Sequence, residues 1–204
     1  MGQKGKRVWL IRHAESQAQT NEFIGIDAPL SKLGTLQAEQ LKLPLSGIKF
    51  DAIFLSPLKR ARQTYEYSGI DAEKVFFDSR LIEDMPQGAY QAILPYEELP
   101  AYGIPDNQNA WNIKTEERAR SFISTLYSTE YKRILVISHS AFFSIFLKEL
   151  IEYKSSEKNF YLGTNNCGIS SILFPSEETP ILTILFWNDI SHVRNLLGYD
   201  PMKY

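Results

Sequence analysis

Val8-Trp9-Leu10-Ile11-Arg12-His13-Ala14-Glu15-Ser16 carries the clearest structural signal in the sequence. Four apolar residues run without alternation and stop at a charged pair, as in a parallel strand buried on both faces. The same arrangement returns on moving outward. Asp51-Ala52-Ile53-Phe54-Leu55 reads as a second strand, and Ser56-Pro57 after it suits an N-cap and the first turn of a helix. That helix runs to about Tyr67 and ends at Gly69. Residues 74–77 form a third strand and 133–137 a fourth, followed by a buried helix over 141–151. Phe142, Phe143, Phe146 and Leu147 recur at the spacing of a helix's core face. Ser31 caps a helix through Lys42 with Leu33, Leu36 and Leu41 on its inner side, and 115–127 is a further helix. Residues 169–174 and 181–187 are two strands joined by the turn 175–180. Strand and helix alternate, so the expected class is α/β: a three-layer sandwich with a mainly parallel central sheet and helices on both faces.

With 204 residues, the chain suits a single domain over 1–204, and 44% hydrophobic content is ordinary for a globular protein. Residues 84–114 break the alternation. Pro86, Pro95, Pro100 and Pro105 fall there, with Tyr90, Tyr96, Tyr102 and Trp111 between them, which reads as an irregular, lid-like insertion. The net charge of −2 offers no basic footprint for nucleic acid or anionic lipid, so any anion site must be local. The most apolar region, 134–147, is interrupted by Ser138-His139-Ser140 and falls short of the roughly 20 residues a spanning helix needs. Residues 8–11 are too short for a signal-peptide core. One cysteine, Cys167, allows no internal disulfide, and a cytoplasmic location is the expectation.

Three strands end in residues of one chemical character. The first ends at Arg12-His13, the second runs into Ser56-Pro57-Leu58-Lys59-Arg60, and the fourth ends at Ser138-His139-Ser140. Ligands of open parallel sheets bind beyond the carboxyl ends of the strands, so two imidazoles and a pair of guanidinium groups should meet at one edge. Arg60 falls in the first turn of its helix, where N–H groups and the dipole also favour an anion. Guanidinium forks pair with phosphate oxygens, so a phosphoryl group is the expected guest.

Arg12-His13-Ala14-Glu15-Ser16 resembles the signature of the histidine phosphatase superfamily, with its phosphoglycerate mutase-like fold. Five further blocks follow in the family's order: Asp27 to Ser31 with Gly34 and Gln37, Ser56 to Thr64, Arg80 to Glu83, Val136 to His139, and Asn188 to His192. The resemblance implies a metal-independent phosphomonoesterase with no cofactor. His13 is its implied nucleophile, taking the phosphoryl group as a phosphohistidine. Arg12, Arg60 and His139 are its implied phosphate ligands, and Glu83 its implied acid–base. Ser16, Gln19 and Ser140 complete the candidate substrate-binding set. Ala14 and Ser140 stand where the family often has glycine, Gln19 where it often has asparagine, and the sequence after Glu83 departs from its usual pattern.

Other chemistries match less well. Cys167 has Leu173, not arginine, six positions on, and Gly163 to Gly168 has P-loop glycine spacing but is followed by Ile169 in place of lysine. Arg62 is expected to point away from the site and His192 to be structural. Three alternatives stay open. One is mutase-type transfer, which needs a second anion site, whereas residues 84–113 contain Asp84, Glu97, Glu98 and Asp106 and no lysine or arginine. The others are a non-catalytic phospho-ligand binder and a metallophosphoesterase built on His13, His139 and Asp189. The implied partner is a small phosphomonoester, and the oligomeric state is open.

Overall fold

A computed structural model describes residues 5–23, 25–84, 101–102, 113–153, 161–176 and 180–200. Seven strands form one sheet among the described residues: β1 (Arg7–Arg12), β2 (Phe50–Leu55), β3 (Ala72–Asp78), β4 (Ala101–Tyr102), β5 (Arg133–Ser138), β6 (Ile169–Leu173) and β7 (Thr183–Asp189), in the order β4-β3-β2-β5-β1-β6-β7. β1, β2, β3, β4 and β5 pair in parallel, whereas β6 and β7 join antiparallel at one side. The helices are α1 (Lys32–Glu39), α2 (Lys42–Leu45), α3 (Lys59–Ser68), α4 (Thr115–Ser128) and α5 (Ser140–Leu150).

The alternating direction of side chains along each strand divides the core into two layers. Val8 and Leu10 of β1 with Ile134 and Val136 of β5 face Phe122 of α4 and Phe142, Phe143 and Phe146 of α5. In the other layer, Trp9 and Ile11 with Leu135 and Ile137 face Ala38 of α1, Leu41 and Leu45 beside it, and Ala61 of α3. The expected three-layer sandwich is therefore present, with its central strands covered on both faces.

Two local expectations are corrected. Ser31 does cap α1, accepting from the Gly34 N–H, but Leu36 is 48% exposed and the buried face consists of Gly34, Gln37 and Ala38. The reason is a backbone approach: a Cβ on Gly34 would lie 2.0 Å from the Glu15 carbonyl oxygen, which only glycine permits. The helix also breaks after Glu39 and resumes as the short α2, where the sequence suggested one run to Lys42. The lid-like insertion over 84–114 lies outside the described residues except at its two ends and at β4, as does the middle of the turn 175–180.

Candidate active site

Arg12 of β1 lies opposite Ser138 of β5, and Leu55 of β2 lies opposite Ile137. His13, Ser56 and His139 each stand one residue beyond the end of one of these three adjacent strands, so the sheet alone gathers them. The imidazoles of His13 and His139 are buried, with ring centroids 5.0 Å apart.

Hydrogen bonds orient the His13 ring. Its Nδ1 lies 2.7 Å from the Ala14 carbonyl oxygen, an acceptor only, so Nδ1 carries the proton. Nε2 is left with its lone pair, which accepts from Arg60 Nε at 3.2 Å. The backbone around the ring is fixed from four directions. The His13 N–H donates to the Ser138 carbonyl, Asn166 Nδ2 donates to the His13 carbonyl at 2.9 Å, the Ala14 N–H donates to Thr64 Oγ1, and the Glu15 N–H donates to Gln37 Oε1. Burial first, then the Arg60 and Arg12 charges, hold the His13 pKa well below 6.5, so the ring is neutral. His139 is lowered in the same way by burial, Arg60, His13 and Arg12. Its Nε2 lies 2.7 Å from Ser56 Oγ, while Nδ1 has no partner among the described residues.

Ser56 Oγ also accepts from the Leu58 N–H at 3.4 Å, but α3 starts only at Lys59, so Ser56 is not its cap residue as expected. The cap residue is Leu58, and the Lys59 N–H donates to Asp27 Oδ1 at 2.6 Å. The Asp27 carboxylate thus takes a place at the helix terminus that the sequence reading reserved for a ligand anion. Arg60 remains at the site, 8% exposed, with Nη1 donating to the Ile26 carbonyl. Arg12 is half-buried and reaches the Thr164 carbonyl through Nη1 at 2.5 Å.

Glu83 follows the single 3₁₀ turn Ser79–Leu81 and joins the cluster. Ligating atoms of His13, Glu83 and His139 all lie within 4.8 Å of one another. Its Oε1 accepts from the Asp84 and Phe142 N–H groups at 3.0 and 3.2 Å. Burial raises the Glu83 pKa above its ordinary value near 4.5, against the pull of the Asp84 N–H, the Arg60 charge, the Phe142 N–H and the Arg12 charge. A buried His pair beside a carboxyl whose pKa is raised by burial suits nucleophilic attack coupled to proton donation. The same spacing could hold a cation, but the Arg60 and Arg12 charges acting on all three groups favour an anion. Neither Asp189 nor His192 belongs to this cluster.

The remaining candidates sit one step back. Gln19 Oε1 accepts from the Ser16 and Asn166 amides and its Nε2 donates to Asn166 Oδ1 at 3.0 Å, so Gln19 orients the asparagine that holds His13. Ser140 Oγ accepts from Tyr161 Oη at 2.6 Å and from the Thr164 N–H at 3.1 Å, tying α5 to the loop that binds Arg12. Arg62 pairs with Glu66 at 4.0 Å, as a helix-surface residue would. Sequence reasoning missed Asn166, which lies in the loop 163–168 dismissed for its lack of a P-loop lysine. No local spacing marks this residue, which acts on a backbone carbonyl 153 positions away in the chain.

A sequence profile of the histidine phosphatase superfamily (branch 1) matches residues 8–189. A Hydrogenobacter thermophilus protein carrying the provisional name phosphoserine phosphatase 2 is 27% identical over 94% of this chain and 99% of its own length. The adenosylcobalamin/alpha-ribazole phosphatase of Escherichia coli is 29% identical over 71% of this chain and 79% of its own. The crystal structure of phosphoserine phosphatase from Entamoeba histolytica, in complex with 3-phosphoglyceric acid, shares the fold with a TM-score of 0.64 at 24% identity, covering 92% of this chain and 99% of that one. Its match to that profile over residues 8–189 places the chain in the histidine phosphatase superfamily, branch 1.

Proposed function

We propose that the protein hydrolyses small phosphomonoesters by double displacement at His13. The observation that carries this reading is the His13 tautomer: Nδ1–H is committed to the Ala14 carbonyl, leaving the Nε2 lone pair facing Arg60. In the first step Nε2 bonds to phosphorus and the phosphorus–oxygen bond to the leaving group breaks. The Glu83 proton passes to the departing oxygen. In the second step Glu83, now ionised, takes a proton from water as its oxygen bonds to phosphorus and the phosphorus–nitrogen bond breaks. Arg12, Arg60 and the Nδ1–H of His139 are the donors proposed for the phosphoryl oxygens. The Ser56 hydroxyl can donate to His139 Nε2, which keeps the His139 proton on Nδ1. Most of the rate then comes from placement and from charge stabilisation in a buried cationic pocket. Ser16, Gln19 and Ser140 support this pocket through the network around Asn166 and Thr164.

Relatives named for phosphoserine and alpha-ribazole phosphatase activity support a small phosphorylated substrate. Mutase activity is disfavoured by the sequence of residues 84–113, acidic and without a single lysine or arginine for a second anionic group. The domain is proposed to be single over 1–204, with 84–114 as the excursion that sets specificity. The test is hydrolysis of p-nitrophenyl phosphate with excess EDTA, for the wild type and His13→Ala. Turnover that resists EDTA and disappears in the variant supports the proposal. Turnover abolished by EDTA, or retained by His13→Ala, overturns it.

A further inference from the structure

Arg118 lies on α4, outside the cluster, yet is only 3% exposed. Its Nη1 donates to the carbonyls of Arg80 and Ile82 at 2.7 and 2.8 Å, and its Nη2 donates to the Glu83 carbonyl at 3.3 Å and to Thr115 Oγ1 at 2.6 Å. Ser138 Oγ donates to the one intervening carbonyl, that of Leu81, at 2.7 Å. Four consecutive carbonyl oxygens leading to Glu83 are therefore each held by a side chain from another element. Thr115 Oγ1 extends the grip beyond Glu83, donating to Asp84 Oδ1 at 2.7 Å. Arg80 anchors the start of the same segment. It is bidentate with Asp78 at 2.7–3.2 Å, and its Nη1 donates to Ser121 and Thr125 of α4.

Carbonyl dipoles that converge on one point repel one another unless a donor stands between them. A lysine ammonium is too compact to span this set, whereas the planar guanidinium fork reaches it. Glu83 is not in a long element. It follows a single 3₁₀ turn, and a short turn does not by itself hold a side chain to the few tenths of an ångström that proton transfer requires. We propose that Arg118, with Thr115, is a positioning residue that fixes the Glu83 carboxyl against the His13–His139 pair. This rests on the reading of Glu83 as the acid–base group.

The test uses leaving-group dependence, because a misplaced acid harms a poor leaving group far more than a good one. kcat/KM is measured for p-nitrophenyl phosphate and for glycerol phosphate, with the wild type, Glu83→Gln, Arg118→Lys and Thr115→Val. Glu83→Gln should lose on the order of 100-fold on glycerol phosphate and about tenfold or less on p-nitrophenyl phosphate. Arg118→Lys and Thr115→Val should show the same selectivity at smaller size, about tenfold against about twofold. Should Arg118→Lys fail to fold, Thr115→Val decides alone, since it removes only one hydroxyl. Selective loss in Glu83→Gln with equal or no loss on both substrates in the positioning variants overturns this inference and leaves the acid–base reading standing. Equal loss on both substrates in Glu83→Gln overturns the acid–base reading itself, and this inference with it.

Discussion

At the residue scale the chemistry turns on which nitrogen carries a proton. Ala14 carbonyl and Arg60 Nε select the His13 tautomer from opposite sides, and the Ser56 hydroxyl pairs with His139 Nε2. Ser56→Ala removes a buried hydrogen bond to the imidazole and leaves His139 Nε2 unsatisfied. An unsatisfied buried group costs about 1–3 kcal/mol, so the variant should lose about tenfold in kcat/KM and melt several degrees lower. Steady-state kinetics beside a thermal melt check this; unchanged kinetics would mean that Ser56 does not orient the ring. Asn166→Ala should be worse, because it frees the His13 carbonyl and removes the acceptor of Gln19 Nε2 together.

At the element scale the motif blocks are explained by what each helix touches. Ser31 at the cap of α1 and Gly34 and Gln37 within it recur every three residues, and all three meet Glu15. Ser31 Oγ donates to the Glu15 carboxylate, Gln37 Oε1 accepts the Glu15 N–H, and Gly34 lies against its carbonyl. Gly34→Ala must push α1 away from the loop that carries His13. We expect about 3 kcal/mol or more of lost stability in a denaturant titration, with activity falling in the protein that still folds. A substitution that left the midpoint unchanged would contradict the close approach. Six strands, the Ser31 cap and the Gly69 terminator were legible in the sequence because each rests on local chemistry: apolar runs, a side-chain acceptor, a left-handed φ of 63°; β4, inside the stretch read as irregular, was not. The contact of Ser56 with His139 was not legible, because it joins residues 83 positions apart, and neither was Asp27, distant in the chain, as acceptor for the Lys59 N–H.

At the scale of the whole molecule, a net charge of −2 encloses a buried cationic centre. His13, His139, Arg12, Arg60 and Glu83 were all named from sequence, since each stands at or near a strand end or inside a recognisable block. Arg118 and Asn166 were not, since backbone carbonyls leave no trace in a sequence. The centre also makes stability depend on pH. Both histidines have folded pKa values well below 6.5, so the unfolded chain takes up their protons first as pH falls. Stability should be full above about 6.5 and decline below it. Glu83, raised in the fold, works in the opposite sense, its contribution present below about 4.5 and lost as pH rises through its folded value. Melting temperature against pH should accordingly fall from about pH 7 to 5, with a shallower slope in His13→Ala; equal slopes would contradict a buried neutral His13. The whole reaction turns on a covalent intermediate at His13. Rapid acid-free quenching of the enzyme with a radiolabelled phosphomonoester should trap one phosphoryl group that is stable in base, labile in acid, and mapped to the peptide containing His13. A labelled enzyme whose phosphate maps elsewhere, or turnover with no trapped label at any time point, would contradict it.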